Sequence, residues 1–420
     1  MTEIHRRKFI KTGLLAGGAA LGQASWAKAA GPLFGDKRKK LEMTIIRRQP
    51  DHAPDRLGFS EKGLADLTQV FEDMFREGLH PGAQVAVYRD GELAISLAGG
   101  LSSPGGDPVT ETTLFQIRST TKALTALVMI MLYDRGRFSF EDPVIKYWPE
   151  FGQNGKEAIT IAQIMSHRAG IPDGPPIPLA RMGDRKAVAA AVEAMKPEWT
   201  PGAANGYHAA SYGWVLDELV FRMTGANIAA FLRKEIIEPL GAKVVFLGLP
   251  QEEFPRMAKM TVEESVRGRQ SVRAQFSDFM NTYAAVSLPL AWVTGVATAE
   301  GLAYVMNLLA FEGTFGGKTF FSKKTQELAG TPTNKPREMD KRLLWPVRWG
   351  LGFILGDTPD IYGTAPHAKA LGHAGGGAGV AWGDPERRLA VAFNCNRMLG
   401  GTEVWERYRR IGDGVYAALK

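Results

Sequence analysis

Ser119-Thr120-Thr121-Lys122 stands at the head of a long apolar run, Ala123 to Tyr133. A serine three residues before a lysine on one helix places a hydroxyl and an amine on the same face. A hydroxyl is a weak nucleophile until a neighbouring base takes its proton, and a lysine held neutral can do this. A free lysine titrates near ~10.4, so it must be desolvated or set beside other positive charge to act as a base near neutrality. The residues that follow, Leu124, Ala126, Leu127, Val128, Met129, Ile130, Met131 and Leu132, are apolar almost all round. That pattern predicts a buried helix, and its start is a place to desolvate an amine. Roughly one or two Ser-x-x-Lys matches arise by chance in a chain this long. A second one, Ser25 to Lys28, falls in a segment assigned below to export.

Two further stretches carry chemistry. Tyr207-His208-Ala209 follows the loop Trp199-Thr200-Pro201-Gly202 and leads through Ser211 into a helical pattern, so the Tyr207 phenol can be presented in a cleft. His373-Ala374-Gly375-Gly376-Gly377 precedes an expected strand, Ala378 to Trp382. Glycines there let a ligand lie against the backbone, whose N–H groups can hold an oxyanion.

The elements that must position these groups follow from periodicity. Ser60 to Gly78 has helical spacing, and residues 83–88 and 93–97 predict a β-hairpin around Asp90-Gly91. Residues 119–285 are mostly helical in pattern, with helices expected over 160–167, 184–196, 211–224 and 226–238. Strands are expected at 349–355, 377–382 and 389–394, and a helix closes the chain over 404–419. The expected class is α/β (α+β): an antiparallel sheet flanked by helices, built from both chain ends, with a helical region inserted. The expected domains are a sheet domain over 56–118 and 290–420 and a helical domain over 119–289, the active site lying between them.

Residues 1–29 carry Arg6, Arg7, Lys8, Lys11 and Lys28 against Glu3 alone, then an apolar Gly/Ala-rich stretch and Ala27-Lys28-Ala29. The paired arginines resemble a twin-arginine export signal, which implies the twin-arginine export machinery as a partner and a periplasmic destination. Without this segment the formal charge falls from +7 to +3, too mild to argue for nucleic acid. Residues 30–55 are basic and polar and are expected to be a linker. Cys395 is the only cysteine, so no internal disulfide can form. No Gly-x-Ser-x-Gly elbow and no zinc-spaced ligand cluster is present, so neither metal nor cofactor is expected.

The motifs at 119–122, 207–209 and 373–377 together resemble the serine β-lactamase and penicillin-binding protein superfamily, most nearly the family VIII carboxylesterases on the class C β-lactamase fold. Pro143 to Pro149, Ile164 to Gly170 and Trp349 to Phe353 add to the resemblance, which runs from about Phe59 to the C-terminus. It implies Ser119 as acyl-accepting nucleophile, Lys122 as its proton acceptor or relay, and Tyr207 as partner base. The N–H groups of Ser119 and Gly376 would form the oxyanion hole, and His373, Gly375 and Ala209 would line the substrate site. Two departures matter: Ala209 stands where β-lactamases and penicillin-binding proteins carry asparagine, and His373 where they carry the lysine of Lys-Thr-Gly. Loss of both disfavours small anionic β-lactams and favours neutral esters. The expected function is a periplasmic serine hydrolase acting on small carboxylic esters. The alternatives are a β-lactamase or D-alanyl-D-alanine carboxypeptidase, an acyl-transferring transesterase, and a non-catalytic binding protein on the same fold. His373 is expected to be able to carry charge or donate a hydrogen bond.

Overall fold

The computed structural model describes residues 45–48, 54–262, 272–365, 367–399 and 403–420. The expected export segment 1–29, with Ser25 and Lys28, lies outside the described residues. Strand β1 (Ile46–Arg48) comes first, then helix α1 (Glu61–Arg76) and the hairpin β2 (Gly82–Arg89) and β3 (Glu92–Gly100). Ser60 caps α1 by accepting the Gly63 N–H at 3.0 Å, and Leu64, Leu67, Phe71 and Met74 form its buried face. Asp90 and Gly91 have φ of 51° and 82°, the paired left-handed conformations that a two-residue hairpin turn demands. Strand β1 falls inside the stretch expected to be linker: Ile46 pairs opposite Ala98 at the sheet's edge. Its arginines face solvent, as edge strands require, and that composition disguised it.

The helical region contains α2 (Thr121–Asp134), α3 (Ile161–Met165), α4 (Arg185–Glu193), α5 (Ser211–Thr224) and α6 (Val272–Met280). Helix α7 (Ala299–Ala310) leads back to the sheet through β4 (Ile354–Leu355), β5 (Leu371–Gly375), β6 (Gly379–Asp384) and β7 (Leu389–Cys395), and α8 (Glu403–Ala418) ends the fold. The seven strands run in the order β1-β3-β2-β7-β6-β5-β4, all antiparallel. Alternation decides the two faces. Val85, Val87, Val391 and Phe393 point into one core with Phe71 of α1 and Tyr408 of α8. Ala86, Ala390 and Ala392 point into the other core, with Leu308 of α7 and Leu124 of α2. Alanine and glycine on that second face let α7 lie close: a Cβ at Gly383 would stand 2.6 Å from that of Leu309. No helix among the described residues is long and apolar enough to cross a membrane.

Two expected strands differ. Only Ile354 and Leu355 of the 349–355 stretch form a strand, because Gly352 turns at φ of 86° and donates to the Met165 carbonyl at 2.9 Å. The glycine run does not open a strand either. His373 sits on its own strand, β5, and Gly376 to Ala378 make the tight turn into β6.

Candidate active site

Ser119 lies in a short 3-10 turn (Arg118–Thr120) that feeds directly into α2, with Lys122 in the first helical turn. The serine and lysine therefore do not share one regular helix. Arg118, just before the serine, is held at φ of 50°. A non-glycine residue in this region costs of order 1–3 kcal/mol, so the surroundings must enforce it. They do: the Ile117 N–H donates to Gly295 O at 2.9 Å, and the Thr121 hydroxyl donates to Arg118 O while accepting the Gly295 N–H at 3.0 Å. The Arg118 guanidinium is buried, donates to Ser277 Oγ at 3.1 Å and lies 5.6 Å from the centre of the Phe276 ring.

Lys122 is fully buried, and its Nζ donates to Trp292 O at 3.1 Å. The rings around it are Tyr207 at 5.0 Å and Tyr212 and Trp292 at 5.8 Å. Burial alone pushes the ammonium well below the ordinary lysine range. A neutral amine that spends one N–H on the Trp292 carbonyl keeps its lone pair for another proton. Tyr207 is buried as well, and burial raises its phenol above the ordinary tyrosine range. A hydrogen bond with the Ser119 side chain opposes that rise and the Asp340 charge adds to it. The phenol is thus protonated at rest and touches the Ser119 hydroxyl, while the amine faces the same ring.

Tyr207 is fixed from behind by Asp340, a fully buried carboxylate. One oxygen accepts the N–H groups of Tyr207, Arg342 and Leu343, each at 2.9 Å, and the other accepts Trp349 Nε1 at 3.2 Å. The Trp349 ring stacks on Tyr207 at 5.9 Å and 10°. His167 packs its ring against Tyr207 at 4.9 Å and Trp349 at 4.3 Å and accepts the His208 N–H on Nδ1 at 3.1 Å.

His373 comes to the same place, its ring 6.2 Å from that of Tyr207. Burial lowers its pKa to about 3, and the nearby Lys122 contributes. Its Nδ1 faces the Ala374 carbonyl at 2.8 Å, the arrangement of an N–H donor, while Nε2 has no partner among the described residues. Of the two roles expected for His373, burial disfavours the charged one and the geometry fits the donor: Nδ1–H faces the Ala374 carbonyl and Nε2 offers a lone pair. Ala209, on the same segment as Tyr207, is buried with its N–H on Pro172 O at 3.2 Å, and its methyl group offers no hydrogen bond. Gly375 presses on the serine's turn, where a Cβ would stand 2.2 Å from Ile117 O and 3.2 Å from Arg118 Cβ. Gly376 is exposed and open on the side where a Cβ would project. Neither the Ser119 nor the Gly376 N–H has an acceptor among the described residues.

The arrangement gathers a hydroxyl, a neutral amine, a phenol and two free backbone donors, the set that acyl transfer requires. Sequence reasoning missed Asp340, Tyr212, Trp292 and Trp349. Only Tyr212 carried a local signal, at the start of the helical pattern that follows Tyr207. Among the described residues no group of three His, Cys, Asp or Glu side chains could hold a metal ion.

The profile of the beta-lactamase family matches residues 68–415. "Esterase/beta-lactamase LipL" of Mycobacterium tuberculosis (strain ATCC 25618 / H37Rv) is 29% identical over 83% of this chain and 85% of its own length. A penicillin-binding protein homologue from Caulobacter crescentus superposes with a TM-score of 0.77 at 31% identity, covering 90% of this chain and 100% of its own. A family VIII carboxylesterase superposes with a TM-score of 0.76 at 28% identity, covering 86% and 99%.

Proposed function

The chain belongs to the beta-lactamase family and is a serine hydrolase, and we propose that it cleaves neutral carboxylic esters through an acyl-enzyme on Ser119. The carrying observation is the buried, neutral His373 beside Tyr207, with Ala209 two residues on: the site there presents neither a fixed cation for a β-lactam carboxylate nor an amide for its side chain. The likeness to an esterase/β-lactamase and to a family VIII carboxylesterase supports the same reading.

The steps follow from the groups in place. Ser119 Oγ attacks the ester carbonyl carbon, and its proton passes to the Lys122 amine, directly or through the Tyr207 phenol. The N–H groups of Ser119 and Gly376 receive the oxyanion. Collapse breaks the C–O bond, and the leaving alkoxide takes the proton back through Tyr207. Water then attacks the acyl carbonyl by the same proton route and frees the acid. The partner is a small ester, and no step calls for a metal or cofactor.

Purified protein should hydrolyse a short-chain nitrophenyl ester, and Ser119→Ala should abolish turnover. Full activity in that variant rules the mechanism out. Nitrocefin turnover well above ester turnover would favour a β-lactamase instead, and transfer to an added alcohol would favour a transesterase. We further propose export to the periplasm, on the Arg6-Arg7 pair and the apolar stretch behind it. Arg6→Lys with Arg7→Lys should strand the enzyme in the cytoplasmic fraction of a bacterial host; unchanged export would refute the twin-arginine route.

A further inference from the structure

We propose that Tyr408 and Arg407 of α8 are positioning residues that aim the Gly376 N–H at the oxyanion. The inference rests on the site reading above. The turn from Gly375 to Ala378 is held at each of its carbonyls facing the core. The Tyr408 hydroxyl donates to Gly375 O at 2.6 Å and accepts the Gly379 N–H at 3.2 Å. Arg407 Nη2 donates to Gly377 O at 2.6 Å, and Cys395 Sγ lies 3.2 Å from that oxygen. Arg407 is anchored further on Leu79 O at 3.1 Å and Arg397 O at 3.3 Å. Both side chains are completely buried.

Peptide geometry turns these contacts into a statement about Gly376. A trans peptide is planar, with its C=O and N–H pointing in opposite directions. No described peptide is cis. The carbonyl of Gly375 and the N–H of Gly376 belong to one such plane. Pinning that oxygen towards α8, with Tyr408 at 2.6 Å and the Ala378 N–H at 2.9 Å, drives the Gly376 N–H the other way, out of the core. The Arg407 bond fixes the Gly377–Ala378 plane, whose N–H is that second donor to Gly375 O. Steric limits close the remaining freedom. A Cβ at Gly375 would strike Ile117 O and one at Gly377 would stand 2.9 Å from Met398 Cα, whereas one at Gly376 meets nothing within 4 Å. The middle residue of the turn is left open while both neighbours are clamped.

The test uses the full-length chain with Tyr408→Phe, which keeps the ring and its packing and removes only the hydroxyl. Turnover of a nitrophenyl ester should fall by about tenfold or more with KM nearly unchanged, since loss of one oxyanion donor outright costs about 10²–10³ in kcat. Affinity for an alkyl boronic acid, which forms a tetrahedral adduct on a serine, should weaken in step with kcat. Arg407→Lys, which keeps the charge and loses the fork, is the second arm and should show the same split. Thermal unfolding of each variant separates a misfolded chain from a misaimed donor. Equal kcat and equal boronate affinity in folded Tyr408→Phe would overturn the inference alone. Failure of the wild type to bind boronate or be labelled at Ser119 by a fluorophosphonate would overturn the site reading, and this inference with it.

Discussion

Acid should unfold this protein through imidazoles that the fold refuses to protonate. His208 and His373 are both buried with pKa values lowered to about 3, against an ordinary 6.5. In His208 burial dominates, and the ring is committed on both sides: Nδ1 to Gly206 O at 2.6 Å and Nε2 to the Ile171 N–H at 3.0 Å. Between pH 6.5 and 3 the unfolded chain binds a proton at each that the native state does not, so stability rises with pH across that window and falls on acidification. From pH 7 to pH 5 each histidine should remove about 2 kcal/mol. Asp217 works in the opposite sense. Burial raises its carboxyl to about 6, so the native state takes a proton that the unfolded chain declines, returning about 1.3 kcal/mol over the same interval. These three groups alone give a loss of about 2.5 kcal/mol, a large share of a typical 5–15 kcal/mol. His80 and His167 are lowered by burial as well and add to it. Urea unfolding at pH 7 and pH 5 measures the difference, and His373→Gln should recover about 2 kcal/mol of it. Stability equal at the two pH values, or greater at pH 5, would show that these rings ionise inside the fold and refute the reasoning.

Other perturbations have equally definite outcomes. Lys122→Met should preserve or raise the melting temperature, because it replaces a desolvated amine by an apolar side chain of like length, while ester turnover falls by about 10³ or more. The acid limb of the wild-type rate profile should lie well below the ordinary lysine range, since protonating Lys122 removes the base, and a limb near ~10 would refute the neutral resting amine. Asp340→Asn should cost about 3–5 kcal/mol in chemical denaturation and lower kcat, because an amide NH2 would face the Trp349 N–H and the Tyr207 anchor would lose its charge. Gly375→Ala should destabilise the chain and cut turnover, whereas Gly376→Ala should leave the melting temperature within about a degree of wild type, its Cβ reaching open space.

The parts of this molecule that were legible in its sequence are those set by near neighbours. The apolar run after Lys122 announced a buried helix and Asp90-Gly91 announced a hairpin, because each depends on a few consecutive residues. Strand β5 was hidden: Leu371 to Gly375 is too short and too glycine-rich to alternate visibly, and its pairing with β6 comes from the sheet. Asp340 was hidden for another reason. It sits in a loop 133 residues from Tyr207, and no local pattern says that a loop carboxylate will be buried against a distant backbone N–H. The neutrality of His373 likewise needs the burial around it, which only the packed fold supplies.

The central seam of the sheet, where β2 meets β7, joins residue 85 to residue 393. A ribosome adding about 5–20 residues each second needs roughly 15–60 s to deliver that partner after the first hairpin has emerged. Throughout that wait the hairpin presents a bare strand edge of Val85, Ala86 and Val87 to its surroundings. Completion of the barrier between the two cores thus comes late, once residues near 393 have been delivered.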